Sequence, residues 1–205
     1  MKKKFLFVLS VLILSVVVFS VAERTQLFKK HAIVCSNERA IGSPVDSFNG
    51  VTVYYNGPVS NVSGRNLTED NYNLGQMYQC VEFVKRYYYE YYRHKMPDSY
   101  GHAKDFFDDE IEDGKINEKR ALIQYRNPSK SPPKVGDLIV FDGHAGNPYG
   151  HVAIISGVKR DKIEIIQQNP GPSAKSRIDI PVSFRNGLWR IDDGQTLGWL
   201  RKEGE

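Results

Sequence analysis

A helical period that gives way, midway along the chain, to a run of short β-branched segments is the pattern that most restricts this fold. From Cys80 onward, Val81, Val84, Tyr88 and Tyr91 recur at spacings of three and four, with Glu82, Lys85, Arg86, Glu90 and Arg93 between them. That spacing predicts an amphipathic helix, stopped by Pro97. Residues 103–111 are a second, weaker helix candidate, and residues 127–135, which hold three prolines, are expected to be loop. The second half reads as sheet: residues 137–141, 151–155 and 162–166 are short, rich in Val and Ile, and separated by Gly-containing or charged turns, with 188–191 and 197–201 completing the set. Helices first and antiparallel strands afterwards imply an α+β layout, N-terminal helices packed on one face of a sheet, and argue against an alternating doubly wound fold.

Before the helix, residues 23–75 are rich in Asn, Ser, Gly and charge, and are expected to be irregular apart from a short strand around the alternating Val51-Thr52-Val53-Tyr54-Tyr55. Residues 1–22 are different. Lys2, Lys3 and Lys4 precede an apolar run, residues 5–21, interrupted only by Ser10, Ser15 and Ser20, and Ser20-Val21-Ala22 puts small residues at both specificity positions of a cleavage site. This is the make-up of a secretory signal peptide cut after Ala22, and it places the mature chain outside the cytosol, periplasmic or extracellular; left uncleaved, residues 5–22 would attach the chain to the membrane. The expected organisation is signal or anchor at 1–22, lead-in at 23–49 and one functional domain at 50–205.

The formal charge of +4 comes largely from the same segment. Without residues 1–22 the chain has 25 basic residues against 24 acidic ones, so a nucleic-acid partner loses its electrostatic basis. Two cysteines, Cys35 and Cys80, are too few for a disulfide framework at this size, although a single bridge between them would compete with any chemical use of either thiol.

Cys80 opens the predicted helix directly after Tyr78-Gln79. A thiol there faces unpaired backbone N–H groups and the positive end of the helix dipole, which predicts a lowered pKa and a nucleophile. Such a nucleophile needs an imidazole to take its proton. His31, His94 and His102 fall in the lead-in, the helix tail and a loop, and His144 follows a strand in a second loop. His151 begins an apolar strand after Tyr149-Gly150, where its ring is fixed at a sheet end. If strands 151–156 and 162–167 pair around a turn near Lys159 or Arg160, the positions opposite His151 are Gln167 to Asn169. Side-chain alternation puts Gln167 and Asn169 on one face and Glu164 on the other. An amide oxygen at Gln167 or Asn169 then accepts the imidazole N–H and fixes its tautomer.

Gln79-Cys80-Val81-Glu82-Phe83, Gly136-Asp137-Leu138-Ile139-Val140-Phe141, Gly150-His151-Val152-Ala153-Ile154-Ile155 and Ile165-Ile166-Gln167-Gln168-Asn169 resemble, in this order, the motifs of the CHAP family of cysteine, histidine-dependent amidohydrolases and peptidases. Within it the chain looks most like the amidase domain of bifunctional glutathionylspermidine synthetase/amidase. The resemblance implies a papain-like fold and hydrolysis of an amide through a thioester, with no cofactor or metal. It implies Cys80 as nucleophile, His151 as base, Gln167 and Asn169 as the remaining catalytic members, and Gln79 with the Cys80 N–H as oxyanion donors. Family members cleave peptidoglycan stem peptides or cross-bridges, the muramoyl-alanine amide, or the glutathione-spermidine amide, so the partner is a peptide or amide conjugate. Gln167 stands where the family usually has an acid. Losing that charge weakens a thiolate-imidazolium pair, and a relative that binds such ligands without cleaving them is the competing expectation.

Overall fold

The computed structural model describes Glu23 and residues 39–171 and 173–205. The expected signal segment, most of the lead-in and Cys35 lie outside the described residues. A compact unit covers Ala40–Glu205. Its first elements are a hairpin of β1 (Pro44–Phe48) and β2 (Val51–Tyr54), then a second antiparallel pair, β3 (Arg65–Leu67) and β4 (Asn73–Gln76). The stretch expected to hold one short strand therefore supplies four. Helix α1 (Cys80–Glu90) follows, then a 3-10 turn (Lys104–Phe106). The remaining strands are β5 (Lys115–Asn117), β6 (Leu122–Arg126), β7 (Leu138–Phe141), β8 (His151–Val158), β9 (Lys162–Ile166), β10 (Arg177–Arg185), β11 (Leu188–Ile191) and β12 (Thr196–Arg201). They form one eight-stranded sheet in the order β11-β10-β9-β8-β7-β12-β6-β5, antiparallel at every pairing.

The α+β reading needs one correction: among the described residues there is a single α-helix rather than a set of N-terminal helices. The weak periodicity at 103–111 yields only the 3-10 turn, because the Asp105 and Asp108 carboxylates accept the His102 and Glu110 N–H groups in local turns that compete with a helical ladder. Helix α1 also stops well before Pro97. Arg93 takes a left-handed conformation (φ 53) and the His94 N–H turns back to bond the Tyr88 carbonyl at 3.0 Å, which closes the helix end.

Two Asn-Gly pairs turn the chain back on itself. Asn49-Gly50 joins β1 to β2 and Asn186-Gly187 joins β10 to β11, each with positive φ at both residues, the two-residue loop whose twist matches that of paired strands.

Strand alternation gives the sheet two apolar faces. Val140, Val152, Ile154, Ile166 and Leu200 pack with Phe83, Val84, Tyr87 and Tyr88 of α1. Ile139, Ala153, Ile155, Ile163, Ile165, Val182, Ile191 and Trp199 form a second core on the opposite face. The sheet curls around that second core. Beyond β6, Ser129 pairs with Trp189 of β11 through reciprocal backbone bonds of 2.9 and 2.7 Å, and the Asn127 amide bonds both the N–H and the carbonyl of Ile191 at 2.9 Å. Residues 127–135, expected as plain loop, thus carry the seam that joins the two sides of the sheet.

Gly198 lets β12 lie close to β6. A methyl placed there would overlap the Tyr125 carbonyl and come within 2.6 Å of the Phe107 ring. Because backbone cannot rotate aside, Gly198→Ala is expected to cost about 3 kcal/mol, at the upper end of overpacking penalties. Urea unfolding checks this through a lowered midpoint at unchanged slope.

Candidate active site

The turn from β4 into α1 passes through Tyr78 in a left-handed conformation (φ 67) and Gln79 in an extended one (φ −84, ψ 160), which leaves Cys80 as the first residue of the helix. Cys80 is a free thiol, partly exposed and packed against the helix-side core. Burial pushes its pKa up; the N–H groups of Val152, Val81 and Cys80 itself push in the other direction without reversing it. The lowered pKa expected from the helix N-terminus is therefore not what the structure gives, because desolvation of a thiolate outweighs three backbone donors. The contact from Val152 sets the sulfur beside the His151-Val152 peptide.

His151 begins β8, opposite Phe141 of β7. Gly150 makes this approach feasible, since a Cβ there would lie 2.5 Å from the Phe141 carbonyl oxygen. The imidazole Nε2 lies 3.0 Å from Gln167 Oε1. The orientation of that amide is fixed from behind, where Gln167 Nε2 donates to the Lys175 carbonyl at 3.1 Å. A carbonyl only accepts, so the Gln167 oxygen must face the ring, His151 Nε2 carries the proton, and Nδ1 keeps its lone pair. Burial pulls the His151 pKa down to about 4, against the opposing hydrogen bond from Gln167. Thiol and imidazole are accordingly both neutral in the free protein at pH 7.

The β8-β9 register pairs Ile154 with Ile166. Extended outward, it sets Asn169 directly opposite His151 and Gln167 one diagonal step away on the same face. The strand ends at Ile166 and Asn169 turns left-handed (φ 56), so only Gln167 reaches the ring. Asn169 is brought elsewhere: its Nδ2 donates to Gln79 Oε1 at 2.6 Å and to the Val59 carbonyl at 3.0 Å. Gln79 in turn gives its own amide hydrogens to the Val59 carbonyl (3.2 Å) and the Asn61 carbonyl (2.8 Å). The side chain expected to bind an oxyanion is thus engaged with a neighbouring loop.

Gln168 is the member that sequence reasoning missed. Fully buried, it accepts the Tyr54 N–H at 2.7 Å and donates to the Gln79 carbonyl at 3.0 Å and to Glu82 Oε2 at 2.8 Å. Glu82 also receives Asn66 (2.8 Å) and Arg86 (2.6 Å). A glutamine between Gln167 and Asn169 on an alternating strand must point to the helix side, and that alternation was the available signal. Among the described residues, no three His, Cys, Asp or Glu side chains converge to hold a metal ion.

A helix-borne cysteine thus lies beside the backbone of a strand-borne histidine that an amide holds, and comparison with known proteins gives the family context. Residues 70–169 match the CHAP domain family model. It is 28% identical to the trypanothione synthetase of Crithidia fasciculata over 152 residues, which are 69% of this chain and 23% of that protein. It is 29% identical to the bifunctional glutathionylspermidine synthetase/amidase of Escherichia coli K12 over 147 residues, 66% of this chain and 23% of that one. The chain thus spans less than a quarter of the length of these curated relatives.

The His151 environment has a consequence for stability. An unfolded chain takes up the imidazole proton near pH 6.5, whereas the folded one refuses it until about pH 4. His151 therefore costs nothing above pH 6.5 and destabilises progressively as pH falls towards 4. The slope of Tm against pH across that window is expected to be shallower in His151→Ala than in the parent.

A second expectation concerns Gln167→Glu. The carboxylate attracts the imidazolium, so the His151 pKa measured by NMR should rise from about 4. One carboxylate oxygen would also face the Lys175 carbonyl, where an N–H now donates, and stability should drop by about 1–3 kcal/mol.

Proposed function

We propose that this protein is an exported cysteine amidohydrolase or peptidase that cleaves an amide bond in peptidoglycan stem or cross-bridge peptides. The observation that carries the chemistry is the Cys80 thiol beside the His151-Val152 peptide, with the His151 tautomer fixed by Gln167. With both groups neutral at rest, proton transfer accompanies attack. His151 Nδ1 takes the thiol proton as sulfur bonds to the substrate carbonyl carbon, and the Cys80 N–H, joined by a released Gln79 amide, holds the oxyanion. The imidazolium gives its proton to the leaving amine as the C–N bond breaks. Water, deprotonated by His151, then opens the thioester, and the acid and the thiol are regenerated.

The papain-like class of fold is compatible with this cycle. Export rests on residues 1–22, with the three lysines, the apolar run and the small residues before the cut. An exported enzyme meets wall peptide rather than a cytosolic thiol-polyamine conjugate. The similarity to a glutathionylspermidine synthetase/amidase supports a second reading, hydrolysis of a glutathionylspermidine-type amide by the same residues.

Purified protein incubated with peptidoglycan should release new peptide ends, assigned by mass spectrometry. Release of products only from glutathionylspermidine would select the second reading. Cys80→Ala should abolish either activity with little change in Tm. In the free parent, alkylation of Cys80 by iodoacetamide should stay slow at pH 6 and climb at alkaline pH, in keeping with a raised thiol pKa. If neither substrate is cleaved yet both bind, the chain is a binding relative.

A further inference from the structure

Loop 57–64 is built as a wall of the site, although no catalytic role requires it. Bounded by Gly57 and Gly64, it is braced from within by the buried Asn56, whose amide donates to the carbonyls of Pro58 and Asn61 at 3.3 Å and accepts from the Asn61 amide at 3.2 Å. Two carbonyls of this loop, those of Val59 and Asn61, point at the residue preceding Cys80 and are capped by the amides of Gln79 and Asn169. The cap is incomplete, because Asn169 Oδ1 is buried without a partner. Val59 and Val62 are 49% and 62% exposed on the same loop. Tyr149, 58% exposed and two residues before His151, lies against His102 with ring centroids 4.7 Å apart.

The chemistry of the step distinguishes the two sides. Oxyanion donors sit with the acyl carbonyl and the histidine sits with the leaving amine, so the Gln79 side of the cleft is the acyl side. We propose that loop 57–64 is the acyl-side subsite and takes a peptide whose residue at the scissile carbonyl has a free backbone N–H and a small apolar side chain. That N–H donates to the Val59 or Asn61 carbonyl, and the side chain covers Val59 and Val62. Gln79, displaced from those carbonyls, becomes free to donate to the substrate's carbonyl oxygen. Binding of the right acyl residue thereby completes the oxyanion site. This inference rests on the amidohydrolase reading above and narrows its substrate to peptides.

The test uses peptide amides with a common leaving amine and alanyl, glycyl or N-methylalanyl residues at the scissile carbonyl, assayed with the parent and with Val59→Ser and Val62→Ser. The parent is expected to favour alanyl over glycyl by about tenfold in kcat/KM, the scale of one methyl group in an apolar site, and to lose at least about tenfold on N-methylation. The serine variants should bring the alanyl to glycyl ratio towards one. Both valines are exposed, so folding is not at stake. An unchanged ratio in both variants, or full activity on the N-methyl peptide, overturns the subsite while leaving the amidohydrolase reading intact. If the parent cleaves none of the peptides, that reading fails instead, and the subsite is judged by NMR on Cys80→Ala titrated with the alanyl peptide. Shifts of the Gln79 and Asn169 side-chain amide signals then support it, and unmoved signals refute it.

Discussion

The buried amide of Gln168 is the interaction on which the site depends. The chain carries its thiol on α1 and its imidazole at the start of β8, an interior strand of the sheet, and apolar packing between helix and sheet does not by itself fix the helix along its axis. Gln168 supplies that registration. It extends from the end of β9 to β2 through the Tyr54 N–H, to the helix cap through the Gln79 carbonyl, and to the helix itself through Glu82. Gln168 and Glu82 are withdrawn from water, so removing the amide would leave buried polar groups unpaired at about 1–3 kcal/mol each. The Glu82 carboxylate is paired at such depth with Arg86, whose guanidinium also donates to the Thr52 carbonyl at 2.7 Å.

Three consecutive residues after β9 divide the labour by side-chain direction. Gln167 points to His151 and fixes its tautomer, Gln168 points to the helix, and Asn169, turned left-handed, points to Gln79 and loop 57–64. An amide serves at Gln167 because that position needs an acceptor on one side and a donor on the other. A carboxylate offers only acceptors once ionised. The loss of charge that the motif comparison marks as a departure is thus matched by a donor requirement at the Lys175 carbonyl. It is also matched by a site at rest in its neutral form, with burial raising the thiol pKa and lowering that of the imidazole.

The sheet contributes by being held in a curl. Its second core would be open to water in a flat sheet, and the Ser129-Trp189 pairing with the Asn127 bonds draws β11 towards the extension of β6. Arg201 adds a buried anchor, its guanidinium bonding both oxygens of Asp137 at 2.7 Å just ahead of β7. The strand that begins at His151 is consequently flanked by fixed neighbours, which keeps the ring in the orientation that Gln167 sets.

The sequence by itself determined the helix from Cys80, most strands of the second half, and the pairing that brings residues 167–169 to His151. Each of these follows from periodicities of 3.6 or 2 and a short hairpin, which are properties of nearby residues. The same local information was present but unread in the two Asn-Gly turns and in the helix-side direction of Gln168. Only the tertiary structure decided which of Gln167 and Asn169 reaches the imidazole, since that turns on where β9 ends and on a left-handed residue beyond it. It alone decided that the thiol pKa rises rather than falls, because desolvation depends on everything packed around the sulfur while the helix dipole is visible from sequence. It alone brought loop 57–64 to Gln79, across a separation in the chain that no local rule spans.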